Sequence, residues 1–186
     1  GADFDADGDI DLFVGGRVRM GSYPFAPESY LLLNDGKGKF TNTNEALAPF
    51  LGDLGMITDA IWTDYDLDND PDLIVVGEWM AITILQNNGG AFTQVDAPGL
   101  QKTGFWNSIV SGDFDQDGDP DYMVGNLGTN NFYCATPETP ISIIAKDFDS
   151  NGDVDAIMSC YFKAEDGTMA PFPIAGWKQL GTMSPM

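Results

Sequence analysis

Four acidic loops of one pattern constrain this chain more than any other feature of its sequence. In the third loop, residues 113–121 read Asp-Phe-Asp-Gln-Asp-Gly-Asp-Pro-Asp, so every odd position is an aspartate. Carboxylates crowded in this way repel one another unless a cation lies among them. Acids at positions 1, 3, 5 and 9, with a glycine at position 6, supply the hard oxygen ligands that Ca²⁺ prefers.

The same pattern occurs at residues 3–11, 64–72 and 147–155, each time with an aromatic residue at position 2. Four copies predict a repeat protein that binds up to four Ca²⁺ ions. We expect position 7 to contribute a backbone carbonyl. The predicted metal-site residues occupy the odd positions of the loops and are Asp3, Asp5, Asp7, Asp9, Asp11, Asp64, Asp66, Asp68, Asp70, Asp72, Asp113, Asp115, Asp117, Asp119, Asp121, Asp147, Asp149, Asn151, Asp153 and Asp155.

An EF-hand is the nearest alternative for loops of this kind. Its loop lies between two helices and has a bidentate glutamate at position 12. In the four copies, position 12 is apolar and is occupied by Val14, Val75, Val124 and Met158. The acid at position 9 is therefore expected to be the bidentate ligand. A loop that joins two strands can surround its ion almost completely, which favours a structural role for the metal over a catalytic one.

The composition excludes several classes of function. Of the 29 acidic residues, 19 lie in the four loops. Only eight residues are basic, so the net charge is −21. Nucleic acids and anionic lipids require clustered Lys and Arg, so neither is an expected partner. No apolar run is long enough to cross a membrane. Because the chain has no histidine, a Ser-His-Asp triad and a His-ligated zinc site are both excluded.

Short apolar runs before and after the loops predict strands. Third and fourth runs are joined by Asn- and Gly-rich turns at residues 34–38 and 87–90, a composition that suits tight hairpins. One repeat therefore reads strand, loop, strand, strand, turn, strand. This order predicts an all-β protein, a β-propeller built from four-stranded antiparallel blades.

The loop spacing sets the predicted boundaries. Blade 1 is placed at residues 1–56, without its first strand and with an insertion at 16–28, and blade 2 at 57–106. An abbreviated blade 3 spans 107–140 and includes a brief strand at 132–134. A partial blade 4 and an irregular C-terminal segment span 141–186. Since these are only three to four blades, the chain is expected either to be a piece of a larger propeller or to self-associate through its open edges.

The loops, with the LFV, LIVVG and YMVG strands behind them, resemble the FG-GAP or VCBS-like repeats of the integrin α-subunit propeller and of many secreted bacterial proteins. Residues 106–128 resemble, in particular, bacterial relatives of cartilage acidic protein. The resemblance implies a calcium-bearing propeller that is extracellular, on the cell surface or periplasmic. It further implies a role in adhesion or in binding a protein or glycan ligand.

The topology predicts that the acidic loops and the Gly turns share one face of the blades. On the opposite face we place the candidate ligand contacts, which are Arg17, Arg19, Tyr23, Trp79 and Trp106. Packing between blades is the alternative role for the two tryptophans.

Two further questions are left open by the residues alone. A carbohydrate-active enzyme, either a polysaccharide lyase or a hydrolase, is the alternative function, with Asp59, Glu78 and Glu28 as its candidate acids. No pair of acids at catalytic spacing is evident, so we do not expect an enzyme. Cys134 and Cys160 are interpreted as two small, buried apolar residues or, alternatively, as one disulfide between neighbouring strands.

Overall fold

The computed structural model describes residues 1–174. Over this range the chain is all-β, as predicted, with one four-residue helix, α1 (Asn44–Leu47), and 3₁₀ turns at Pro49–Asp53 and Pro98–Leu100. The strands are β1 (Leu12–Val14), β2 (Tyr30–Asn34), β3 (Phe40–Asn42), β4 (Met56–Thr63), β5 (Asp72–Met80), β6 (Thr83–Asn88), β7 (Ala91–Gln94), β8 (Gly104–Gly112), β9 (Asp121–Asn126), β10 (Ser142–Lys146), β11 (Asp155–Lys163) and β12 (Met169–Pro173).

The chain divides into two compact units. The first contains Gly1–Arg17 and Ala26–Asn126, and the second contains Val18–Phe25 and the chain from Leu127 onward. All the strand pairings in both units are antiparallel. These sheets are consistent with propeller-like blades, so the predicted fold class is confirmed.

In the first unit, strands β4, β5, β6 and β7 form the complete up-and-down sheet that the sequence predicts for one repeat. The first repeat contributes β1, β2 and β3, and the third contributes the hairpin of β8 and β9. A short ladder pairs Glu78 with Phe105 and Met80 with Gly104, and it joins this hairpin to the far end of β5.

Strand β5 is buried on both faces and links two apolar clusters. Leu73 and Val75 pack with Phe4 and other residues of the first repeat. Ile74 and Val76 pack in a second cluster that also contains Ile109 of β8. Successive side chains of a strand point to opposite faces, so the unbroken apolar run of β5 contributes to the core on either side.

The second unit contains the sheet of β10, β11 and β12. Residues 169–173 were expected to be irregular, but they pair with the second half of β11. A turn makes this possible, because Gly167 has a φ of +87° and the Thr168 N–H donates to the Asp166 carboxylate at 2.9 Å. The rest of the predicted C-terminal segment, residues 175–186, lies outside the described residues.

The prediction of a strand at residues 132–134 is wrong. This segment is a turn, in which the Asn131 side chain accepts the Tyr133 N–H at 2.8 Å and also contacts the Gly128 carbonyl. A local side-chain hydrogen bond of this kind competes with strand pairing.

Cys134 and Cys160 are free thiols, exposed and buried respectively, and burial raises the pKa of Cys160.

Candidate metal centres

The aspartate at position 1 organises the backbone of each acidic loop. In the first loop, the carboxylate of Asp3 accepts the N–H groups of Asp7 and Gly8 at 3.1 and 3.0 Å. The second and fourth loops repeat both bonds around Asp64 and Asp147. The backbone therefore curls around one carboxylate, and this curl brings the middle of the loop back to its start.

Two positions of each loop adopt left-handed backbone conformation. Position 6 is a glycine in three loops, and Asn69, which replaces it in the second loop, adopts a φ of +74°. Position 4 was missed, although its residue has a φ of 60–65° in all four loops and is never a glycine: Ala6, Leu67, Gln116 and Ser150. Such angles are uncommon for residues with a side chain. The hydrogen bonds to position 1 hold the backbone in this shape.

Three carboxylates converge in every loop, from positions 1, 3 and 9. One oxygen atom of each lies within 4.8 Å of the other two. Position 5 is not part of this group, and its side-chain oxygen accepts the N–H of position 7, as Asp7 does from Asp9 at 2.9 Å. An oxygen-only donor set suits a hard divalent cation. The residues that can hold a metal ion are Asp3, Asp5 and Asp11; Asp64, Asp66 and Asp72; Asp113, Asp115 and Asp121; and Asp147, Asp149 and Asp155.

The position-9 aspartate also fixes the loop to the sheet. Asp11 and Asp72 are completely buried. In Asp72, one oxygen accepts the Tyr65 N–H at 2.8 Å and the other accepts the Asn87 N–H at 2.7 Å. Asp11 makes the same pair of bonds, the second of them to Asn34 at 2.8 Å. Each carboxylate thus joins its own loop to the end of the third strand of the same repeat.

The third and fourth loops keep only half of this arrangement. Asp121 accepts the Phe114 N–H at 2.8 Å, and Asp155 accepts the Phe148 N–H at 3.0 Å. Within residues 1–174, no third-strand asparagine donates to either carboxylate. Asp121 and Asp155 are consequently less buried than Asp11 and Asp72.

Electrostatics disfavour the ionised form of the clusters. Burial raises the pKa of Asp5 and of Asp72, and the charge of Asp117 raises the pKa of Asp119. A cation among the carboxylates would reverse these shifts, because an opposite charge favours the ionised form.

Asn87 is a buried residue of this region that sequence reasoning missed. Its side-chain nitrogen donates to the Phe4 carbonyl at 2.7 Å and to the Pro71 carbonyl at 3.3 Å, and its oxygen accepts the Gly90 N–H at 2.7 Å. It therefore ties together two acidic loops and a Gly turn. Asn34 occupies the same place in the first repeat and donates to Ile10 at 3.0 Å. The signal was an asparagine two residues after a leucine near the end of both third strands, which we interpreted only as a turn residue.

Three of the candidate ligand contacts lie in the first unit. Arg17 pairs with Glu78, whose side chain is only 9% exposed. Trp79 is half-buried, has a φ of +61° and packs edge-on against Phe105 with ring centroids 4.5 Å apart. Trp106 donates its indole N–H to the Met80 carbonyl at 3.1 Å and packs against the second apolar cluster, which matches the packing alternative.

The other two candidates, Arg19 and Tyr23, lie in the second unit. They line a cavity of about 430 Å³ together with Asp155 of the fourth acidic loop. Of the acids considered for catalysis, Asp59 accepts the Ile109 N–H at 2.9 Å and thereby links β4 to β8. Glu78 is held by Arg17, as described above.

The fold and the four acidic loops define a class of repeat proteins in which a hairpin loop able to hold a metal ion joins the first two strands of a blade-like sheet. Comparison with known families identifies the repeats, because residues 3–75 and 64–124 both match the FG-GAP-like repeat. These matches cover more than half of the chain, which therefore belongs to the FG-GAP-like repeat family. The fourth loop lies outside the matched residues. No curated protein matches the chain.

Within residues 1–174, no helix has the length and apolar character needed to cross a membrane.

Replacing Asn87 by alanine is expected to destabilise the first unit, because buried carbonyl and N–H groups lose their partner. The expected cost is about 1–3 kcal/mol, measured by urea unfolding. The matched control is Asn88→Ala, since Asn88 is exposed and bonds only within its own turn region. Equal stability of the two variants would contradict the proposed role of Asn87.

The metal-free protein is expected to become more stable as the pH falls from neutral towards the ordinary aspartate pKa. The folded-state pKa values of Asp5, Asp72 and Asp119 are raised, so the folded state binds more protons than the unfolded state in this window. Their contribution is fully present below the ordinary pKa and is lost as the pH rises through the raised values. Thermal melts in a chelator at several pH values measure this dependence. A melting temperature that falls steadily on acidification would contradict it.

Proposed function

We propose that this chain is a calcium-binding repeat scaffold of an exported or cell-surface protein that acts in adhesion or in binding a protein or glycan, with the ions in a structural role. The observation that carries the proposal is the convergence of three carboxylates in each of four loops. Positions 1 and 3 open the loop, and position 9 begins the following strand or, in the first loop, directly precedes it. An ion bound to all three would close the loop.

A structural role for the ions fits the surroundings of the position-9 aspartate. Asp11 and Asp72 are buried and bonded to both the loop and the third strand. Such a carboxylate is part of the sheet as well as part of the site, so ion binding and folding are coupled. The chain's net charge of −21 adds self-repulsion that bound cations would relieve.

An extracellular location is supported by the family, because FG-GAP-like repeats are typical of extracellular proteins. Calcium-binding modules of that environment work with modest affinity, which suits exposed loops such as the third and fourth.

The surface around Trp79 is the best-supported ligand contact of the predicted set. A bulge in β5 at this point shifts the register between Glu78 and Met80. The tryptophan itself is held in left-handed conformation, a strain that is often found at functional sites. Beside it, Arg17 and Glu78 provide charged hydrogen-bonding groups next to an aromatic face. This combination suits a glycan or a protein side chain.

Calcium is expected to raise the melting temperature of the chain, and excess EGTA to lower it. Each occupied site stabilises the fold by about 2.7 kcal/mol when free Ca²⁺ is a hundredfold above its Kd. Calorimetric titration should find up to four ions, and Asp64→Asn should remove one of them. Mg²⁺ serves as the control, since it requires a smaller octahedral shell. An unchanged melt in EGTA would overturn the proposal.

Replacing Trp79 by alanine is expected to weaken ligand binding about tenfold or more, a loss of about 1.4 kcal/mol. The calcium-loaded chain is screened on a glycan array and against extracellular proteins, and the variant is then titrated with each ligand found. Phe40→Ala is the control, because Phe40 is an exposed aromatic residue next to the Gly turn of the first repeat. Undiminished binding by the Trp79 variant would place the ligand elsewhere.

A further inference from the structure

The position-3 aspartate of the second acidic loop is held differently from its counterparts. In the first, third and fourth loops, the position-3 carboxylate accepts the N–H of position 5 at 3.3, 3.2 and 3.2 Å. In the second loop, the position-5 N–H, that of Asp68, donates to position 1 alone among the described residues. The carboxylate of Asp66 instead accepts the side-chain amide of Gln86, a half-buried residue of β6.

The nitrogen of the Gln86 amide is the atom that faces Asp66. An ionised carboxylate can only accept hydrogen bonds, whereas an amide side chain has both a donor and an acceptor end. The bond therefore fixes the orientation of the amide as well as that of the carboxylate. Since Gln86 belongs to β6, the sheet and not the loop sets the position of this metal ligand.

Two consecutive residues of β6 thus contact two of the three convergent carboxylates of the second loop. The Asn87 N–H donates to Asp72 at 2.7 Å, and the Gln86 side chain donates to Asp66. Successive side chains of a strand point to opposite faces. Asn87 makes its bond to Asp72 through the backbone, so both contacts reach the same loop.

The first repeat lacks the second of these contacts. In the register of the two sheets, Leu33 occupies the place of Gln86. The asparagine after each of them donates its N–H to the position-9 carboxylate. A leucine side chain has no donor, and Asp5 is held by its own loop. The two repeats therefore share the contact to position 9 and differ in the contact to position 3.

A neutral donor is suited to a metal ligand. A lysine or arginine at this place would pair with Asp66, but its charge would also repel a divalent cation. The amide of Gln86 stabilises the ionised carboxylate and adds no net charge to the site.

We infer that Gln86 is a positioning residue of the second metal centre, which orients the Asp66 carboxylate for the ion and raises the Ca²⁺ affinity of this site. This role rests on the proposed calcium-binding function of the loops. Loss of a hydrogen-bond partner of a ligating carboxylate typically lowers metal affinity about 10- to 100-fold. Because the bond to Asp66 is exposed to solvent, we expect the lower end of that range.

The test isolates the second site by neutralising position 3 of the other three loops with Asp5→Asn, Asp115→Asn and Asp149→Asn. Asparagine keeps an oxygen that accepts the position-5 N–H, so each loop retains this backbone contact. Calorimetric titration with Ca²⁺ then gives the Kd of the second site. Gln86→Met keeps the length of the side chain, removes the amide and should weaken binding about tenfold. The matched control, Gln94→Met at an exposed position of β7, should leave the Kd unchanged.

Two further measurements separate positioning from a general effect on folding. In EGTA, Gln86→Met and Gln94→Met should melt at the same temperature, because the exposed bond to Asp66 adds little to the metal-free fold. In NMR spectra of the unchanged, calcium-loaded chain, the side-chain amide protons of Gln86 should exchange with solvent more slowly than those of Gln94. This second measurement needs no variant, so it remains decisive if Gln86→Met does not fold.

The outcomes distinguish this role from the proposed function. An unchanged or tighter Kd in Gln86→Met, or equal exchange of the two glutamine amides, would overturn the inference and leave the calcium sites in place. A melting temperature in EGTA that falls for Gln86→Met and not for the control would assign the residue to folding instead. If the unchanged chain binds no Ca²⁺, the proposed function fails and the inference fails with it.

Discussion

The structure depends on one carboxylate that belongs to a loop and to a sheet at the same time. In the first two repeats the position-9 aspartate is buried and accepts one N–H from its own loop and one from the third strand. Burying an ionised carboxylate is costly unless hydrogen bonds or a cation compensate for it. The backbone bonds supply part of that compensation.

This arrangement connects the acidic loops to the strands of the sheet. Position 1 curls the backbone, position 4 takes a left-handed angle, and position 9 anchors the result to the strands. The third and fourth loops have the curl and the angle but lack the second anchor. Their acids also converge to within 4.8 Å, so convergence is a property of the loop itself, whereas burial of position 9 comes from the rest of the repeat.

Much of this was predictable from the sequence because it is encoded locally. Alternating aspartates and Asn-Gly turns fix hairpins at short range, so the all-β fold and the repeat order could be predicted. The sequence also predicted acidic ligands at positions 1, 3, 5 and 9, and the carboxylates of positions 1, 3 and 9 converge. Asn87 could not be recognised as a buried tie, because its partner Phe4 lies far away in the sequence. The strand predicted at residues 132–134 failed because the Asn131 side chain satisfies the backbone there. The strand at residues 169–173 was missed because its pattern does not alternate and only pairing with β11 defines it.

Strand β5 places two apolar clusters back to back, since Leu73 and Val75 belong to one cluster and Ile74 and Val76 to the other. The middle repeat therefore contributes one face of its central strand to each of two apolar cores and has no separate core of its own. Folding of such an array is governed by nearest-neighbour interfaces more than by the stability of any single repeat. A repeat excised as a cassette would expose both faces of its central strand, whereas a deletion that rejoins the flanking repeats could restore a continuous interior. The unit of stability in this chain is therefore the interface between two repeats.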